Sequence, residues 1–426
     1  MLLRSLDVRH HELPALAWSF IYFFCLLCGY YVLRPVRDEM GIAGGIANLP
    51  WLFTGTFVAM LAAVPLFGWV TARFPRRVML PAVYWFFIAN LLVFYALMQS
   101  GVAAAAVAQA LFVWVSVFNL FVVSVFWSFM VDLFSNEQGK RLFGVIAGGG
   151  SAGALTGPAL TASLAVPLGV ANLLLVSVLF LTVAVICIYR LLAWDAQPDA
   201  RLNAVRAGSD EAIGGSIWAG IRAVLGSGYL LGICLYIVLF SLLYTFLYFE
   251  QARIVAASIV SGAERTRLFA FIDLAANLLA LLLQLLATGR LLAWLGVAGT
   301  LVLLPALSVA GFATVGAFPA LAVIVAFQIV RRAGEYAIAK PARELLFAVL
   351  DRERKYKAKN FIDTVVFRGG DVASGWLLAG LKALGLGVVV LAAAAVPVAL
   401  AWAALSWLLG RRQEALARAR PGGGPV

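Results

Sequence analysis

Polar positions are sparse and clustered along this chain, and the apolar stretches between them are longer than a soluble helix requires. Uncharged runs of 21 residues from Leu13 to Leu33, 54 from Val78 to Val131, 48 from Leu142 to Tyr189 and 28 from Ala383 to Gly410 reach or exceed the ~20 residues that carry a helix across a bilayer. Turn formers at Gln99-Ser100-Gly101, Val166-Pro167-Leu168-Gly169 and Gly316-Ala317-Phe318-Pro319 divide the long runs. The pattern then predicts twelve spans, at about 13–38, 48–72, 78–99, 103–132, 141–165, 168–191, 225–251, 266–289, 297–316, 319–343, 360–384 and 386–410. The fold class expected is an all-α membrane protein of twelve transmembrane helices. A balanced stretch from Trp194 to Ser216 interrupts the pattern after the sixth span. It separates an N-terminal six-helix half, 1–194, from a C-terminal six-helix half, 216–410, with a cytoplasmic linker at 195–215. The residues after 410 form a basic tail expected to be disordered.

Composition narrows the function class. Of 426 residues, 64% are hydrophobic and 12% charged, against roughly 45–50% and about 25% in soluble domains, which excludes a water-soluble enzyme. Subtracting 20 acidic from 32 basic residues leaves a charge of +12. The basic residues recur after every second span, at Arg73, Arg76 and Arg77, at Lys140 and Arg141, at Arg352, Arg354, Lys355, Lys357 and Lys359, and at Arg411 and Arg412. That is the positive-inside pattern. It reports topology rather than nucleic-acid binding, and the expectation is a multi-pass protein with both termini in the cytoplasm. Cys25, Cys28, Cys187 and Cys234 all lie in apolar spans, so neither a disulfide framework nor a metal site is expected. The first apolar run is too long for a signal-peptide core and reads as a retained helix. No cofactor is implied, and the lipid bilayer is the expected partner of a monomer.

Gly68 to Arg77, with Arg73, Arg76 and Arg77, resembles the loop signature that follows the second helix in the major facilitator superfamily, although Ala72 replaces its acid and Pro75 its second glycine. Glycine there allows close helix approach, and the arginines hold neighbouring helix ends. Weak internal matches at similar offsets, Gly68 with Gly289, Lys140 with Lys359 and Arg37 with Arg253, favour the duplicated halves of that architecture. Gly148 to Pro158 matches G-x-G-x-x-G formally. The dinucleotide reading needs a preceding strand and an aqueous site, whereas Gly149, Gly153 and Gly157 share one helix face, where close packing is the expectation. The end of this segment, Gly153-x-x-x-Gly157-Pro158, also resembles the span-five motif of facilitator-type antiporters.

A charge at membrane depth costs about 2.5–3.5 kcal/mol or more and normally faces a partner or a wet cavity. Arg34 and Arg37, with Asp38 and Glu39, stand at the end of span one, on the side where arginine is disfavoured, and their spacing puts both guanidiniums on one face. Arg331 and Arg332 lie roughly 18–20 Å into span ten, with Glu335 in pairing range. Lys340, Arg343 and Glu344 follow, and span eleven adds Asp363, Arg368 and Asp371. Arg332 with Glu335 and Lys340 with Glu344 are spaced for intrahelical pairing, and two readings compete for them: structural ion pairs, or a lining that binds an anionic substrate together with Arg331, Arg343 and Arg368. Arg34 and Arg37 are expected to be ligands, because guanidiniums grip phosphate bidentately. Asp273 and Glu335 are candidates for proton coupling.

Three stretches resemble the ATP/ADP translocases, the nucleotide transporters of plastids and intracellular bacteria: Leu33 to Asp38, Phe126 to Phe129 with Asp132 and Lys140-Arg141, and the longest from Tyr336 to Asp363. The resemblance implies a major facilitator fold and nucleotide exchange. Carried over residue by residue, it implicates Arg34, Arg37, Asp132, Glu250, Arg343, Glu344, Lys357 and Lys359. The Walker pattern is absent from the sequence, so a nucleotide would be cargo rather than fuel. The expected function is therefore a secondary transporter exchanging an anionic phosphorylated solute, most simply a nucleotide, by alternating access, with the cargo held by the Arg34/Arg37 helix and the basic groups of spans ten and eleven. A proton-coupled facilitator of another solute and a non-transporting sensor or assembly module are the alternatives.

Overall fold

A backbone in hydrocarbon must satisfy its own hydrogen bonds, so long apolar segments become helices. The structure, a computed structural model, describes residues 9–196, 222, 224–351, 355, 358, 359 and 361–419, which form twelve long helical rods. The first six are α1 (Leu13–Ala43), α2 (Leu49–Arg73), α3 (Arg76–Ser100), α4 (Ala104–Leu133), α5 (Asn136–Leu168) and α6 (Asn172–Asp195), followed by α7 (Gly228–Ser258). Helix α8 (Gly262–Leu283) runs through a π turn, Gln284–Thr288, into α9 (Gly289–Ala317). Leu321–Gly334, the π turn Glu335–Ala339 and Lys340–Leu346 make the rod α10. The π turn Ile362–Val366 and Phe367–Ala383 make α11, and α12 is Val388–Arg418. Eight helical stretches among the described residues are apolar and long enough to cross a membrane, the longest being 262–317. Large side chains such as Trp51, Phe86, Leu179 and Trp294 are exposed on the rods, as a lipid-facing surface requires.

The helices differ from the sequence expectations at several ends. Helix α1 continues to Ala43, so Arg34 and Arg37 lie inside it rather than at its end. Helix α2 continues to Arg73, because no proline or glycine stands between Gly68 and Pro75, the extended residue that opens α3. Gly68 and Arg73 are therefore helical rather than parts of a loop. The break between α8 and α9 is not a loop after 289. It falls inside α9 at Gly296, whose φ of 65° only glycine adopts easily. Glu414 closes this break, its Oε1 accepting from the Ala298 N–H at 3.1 Å. Residues 411–418, expected in a disordered tail, are thus the helical end of α12. The expected linker lies almost wholly outside the described residues, as do residues 420–426.

The chain forms two compact units. Unit 1 comprises residues up to Asn48, Thr54–Glu211 and Ile259–Leu274, and its centre is α1. Helix α5 reaches α1 through a glycine face. A Cβ on Gly149 would stand 2.5 Å from the Phe20 carbonyl oxygen, one on Gly153 2.4 Å from that of Phe24, and one on Gly157 2.7 Å from that of Cys28. Backbone against backbone leaves no room for a methyl group, and Pro158 is buried in the same stretch. On another side of α1, the Tyr22 hydroxyl donates to Tyr84 at 2.6 Å, and Tyr84 donates to the Val122 carbonyl at 3.3 Å, linking α1, α3 and α4. Phe23 stacks on Phe126 at 4.2 Å.

One polar cluster closes the start of α1 onto α5. Glu12 is fully buried and accepts from Arg141 Nη2 at 2.9 Å, from Gln138 Nε2 at 3.0 Å and from the Arg9 N–H at 3.0 Å. Burial pushes its carboxyl up, but the Arg141, Arg9 and Gln138 donors outweigh it and hold the group below its ordinary value of 4.5. Ser135 caps α5 beside it, its Oγ accepting from Gln138 N–H.

Unit 2 comprises Leu49–Phe53, Ala212–Ser258 and the chain from Ala275 onward. Within it α7 packs on α10, α11 and α12, and α9 lies along α12, with Gly410 against Ala298. The π turns of α8 and α10 dock on each other. Thr288 Oγ1 donates to the Ala337 carbonyl at 2.7 Å, and Gln284 Nε2 donates to that of Tyr336 at 3.2 Å. These side chains satisfy carbonyls that a widened turn leaves poorly bonded.

Two outcomes test this packing. Gly153→Ala should cost about 1–3 kcal/mol and lower the melting temperature in detergent. Gly144→Ala, where a Cβ meets nothing within 4 Å, should leave it equal or higher. Glu12→Gln should cost about 1–2 kcal/mol at neutral pH. Because the folded-state value is depressed, that stabilisation is present above 4.5 and is lost as the pH falls through the folded value. Melting curves of the wild type and the variant should therefore converge on acidification.

Candidate substrate-binding charges

In unit 1 the α1 charges are engaged by protein groups. Arg37 donates through Nε to Ser116 Oγ at 2.8 Å and through Nη1 to Asp38 at 3.2 Å, with its guanidinium 3.9 Å from the centre of the Phe112 ring. Arg34 Nε lies 3.7 Å from an Asp273 oxygen, and Asp273 is fully buried. Glu39, 2% exposed, takes two bonds from Arg265, Nε at 2.7 Å and Nη2 at 2.6 Å. Arg265 also caps the Ile259 and Val260 carbonyls. Asp132 is exposed near the end of α4. Arg73 lies 5.8 Å from the centre of the Trp69 ring and is exposed, as is Arg77, while Arg76 opens α3.

Unit 2 holds the basic groups of α10 and α11. Arg331 is 1% exposed and Arg332 5%. Arg331 Nη2 stands 3.8 Å from Glu335 Oε2, and its guanidinium lies 4.9 Å from the Tyr244 ring centre and 5.8 Å from that of Phe240. Glu335, expected to pair with Arg332, faces Arg331 one turn earlier on the helix. Arg331 Nε and Nη2 and Arg343 Nε are buried without a hydrogen-bond acceptor among the described residues. Arg343 Nη2 is 3.9 Å from Asp363. Glu344 is held by Lys359 at 2.5 Å rather than by Lys340, which is exposed. Arg368 is 3.6 Å from Asp371, which also accepts from the Ser241 hydroxyl. Glu250, 1% exposed, pairs with Lys382. Lys357 lies outside the described residues.

A cavity of about 160 Å³ opens beside α10, lined by Tyr236, Phe240, Glu335, Tyr336, Ala339, Lys340, Arg343 and Phe367. Two of its lining residues, Phe240 and Glu335, are the groups Arg331 faces. It is a small aromatic chamber with cations in its wall and an under-coordinated arginine behind it. No group of His, Cys, Asp and Glu among the described residues is placed to hold a metal.

Sequence reading missed Arg265, Lys382 and the aromatic walls. The signal for the two cations was present. Both are basic residues near helix ends assigned to the outside, the same anomaly that singled out Arg34. The aromatic residues carry no such signal, since Tyr236, Phe240 and Phe367 read as ordinary apolar positions of a span.

The rods and their arrangement define the major facilitator fold. No family model matches the chain, and no curated protein matches it. Solved structures do. A bacterial homologue of the human lysosomal transporter Spinster, inward-facing and unoccupied, is 15% identical with a TM-score of 0.57, over 99% of this chain and 100% of its own. The nucleoside transporter NupG is 11% identical with a TM-score of 0.62, over 97% and 100%. A bacterial homologue of the iron transporter ferroportin, also inward-facing, is 14% identical with a TM-score of 0.63, over 96% and 99%. Identities this low establish the fold and leave the cargo to be argued from the residues.

The Glu250–Lys382 pair yields a direct test. Lys382→Met strands a buried carboxylate and should cost about 3–5 kcal/mol, seen as a large fall in melting temperature. Adding Glu250→Gln should restore most of it. A single variant as stable as the wild type would show that the pair does not matter to the fold.

Proposed function

We propose that this protein is a secondary transporter that moves an anionic, phosphorylated solute by alternating access, and that the solute is a nucleotide exchanged across the membrane. The fold shared with transporters of several cargoes supports the carrier class. The observation that carries the anionic cargo is Arg331, a buried guanidinium with two donors unused among the described residues, beside an aromatic chamber whose wall includes Lys340 and Arg343. Guanidinium donors and aromatic faces together suit a phosphate attached to a flat ring better than a sugar or an organic cation. The resemblance to ATP/ADP translocases in the Tyr336 to Asp363 stretch points the same way. On this reading both termini are cytoplasmic, and the membrane is the bacterial cytoplasmic membrane. Arg37, whose Nε donates to Ser116 and Nη1 to Asp38, also braces α1 on this reading.

Asp273 supports a second reading. A fully buried carboxylate beside Arg34 is placed to exchange a proton during transport, which would suit a proton-coupled carrier of another solute.

Proteoliposomes loaded with unlabelled ADP should take up labelled ATP saturably, and Arg343→Ala should reduce that uptake by about tenfold or more, the weight of a charge-assisted hydrogen bond. Uptake that follows an imposed pH gradient and ignores nucleotides would transfer the assignment to the proton-coupled reading.

A further inference from the structure

The cavity beside α10 contains one residue a phosphate site should not have. Glu335 lines it, and a carboxylate in the wall repels an anion. Its Oε2 is 3.8 Å from Arg331 Nη2, beyond hydrogen-bond reach. The side chain is 21% exposed and opens toward the cavity. Its acceptor oxygens are therefore available to a donor brought in by cargo. Around it stand Tyr236, Phe240, Tyr336 and Phe367. The volume, about 160 Å³, is below the 300–1,000 Å³ that encloses a whole drug-sized ligand, so only part of a nucleotide fits. Flat apolar walls and an acceptor suit a heterocycle. Lys340 is exposed, where it serves charges that remain outside the chamber.

Resting on the reading of this protein as a nucleotide carrier, we propose that the chamber takes the base and leaves the phosphates at its rim, and that Glu335 selects bases presenting an exocyclic amino group along their pairing edge. Adenine, cytosine and guanine offer such donors. Purine riboside triphosphate has the same ring and phosphates as ATP but lacks the 6-amino group, so its edge shows the carboxylate only acceptors. Glu335 is then a specificity-determining residue, and the cations beside it serve affinity for any polyphosphate.

The test is inhibition of labelled ATP uptake in proteoliposomes by unlabelled ATP, by purine riboside triphosphate and by tripolyphosphate. With the wild type, ATP should inhibit about tenfold or more strongly than the deaminated analogue. With Glu335→Met the two nucleotides should inhibit within about twofold of each other, while tripolyphosphate inhibits as well as before or better, which also shows that the variant is folded. Glu335→Gln keeps an acceptor oxygen and should recover part of the discrimination. Equal inhibition by both nucleotides in the wild type, or discrimination intact in Glu335→Met, overturns the assignment of Glu335 and leaves the carrier reading standing. Absence of saturable ATP uptake overturns both.

Discussion

Every ionised group within these rods must be matched by a partner, because hydrocarbon offers none. The structure shows the ways this is met. Arg265 donates two hydrogen bonds to Glu39, Glu250 pairs with Lys382, and Arg37 donates to Ser116 and Asp38 over the Phe112 ring. Arg331 is different. Its ion pair is long, its neighbours are aromatic faces, and two of its donors are unused among the described residues. A buried donor without an acceptor costs roughly 1–3 kcal/mol, more when charged. The placement of that cost beside a cavity is what separates the cargo argument from a general account of helix packing.

The rest of unit 1 gives the charges a stiff frame. The glycine face of α5 brings two backbones into contact along three turns, and the Tyr22–Tyr84–Val122 chain fixes α1 against α3 and α4. A rod so confined cannot rotate to relieve strain, so the side chains of Arg34, Arg37 and Glu39 stay where their partners are. Unit 2 carries three π turns, in α8, α10 and α11.

The course of the helices was legible in the sequence, because a hydrocarbon-spanning segment announces itself by length and lack of charge. Ends were less so. Arg34 to Glu39 reads as the edge of a span, yet α1 continues to Ala43 because the partners that accommodate these charges, Ser116, Asp273 and Arg265, are supplied by segments 79 to 239 residues away. Charge position is local information, whereas charge pairing is not. The same limit explains Glu344, which finds Lys359, 15 residues further on, rather than Lys340 on its own helix. The π turns left no trace either. Those of α8 and α10 are linked by the side chains of Gln284 and Thr288 reaching another helix, and no local composition encodes that.

The widened turn at Glu335–Ala339 stores one residue more than an α-helical turn holds. Because the surplus is taken up there, everything beyond keeps the aim of a regular helix one residue shorter, whereas drawing the same residue back into regular α-helix would turn everything beyond by ~100° about the axis. Lys340 and Arg343 would then address a different sector without any change in their chemistry. Aim along α10 is set by where one amino acid of length is kept.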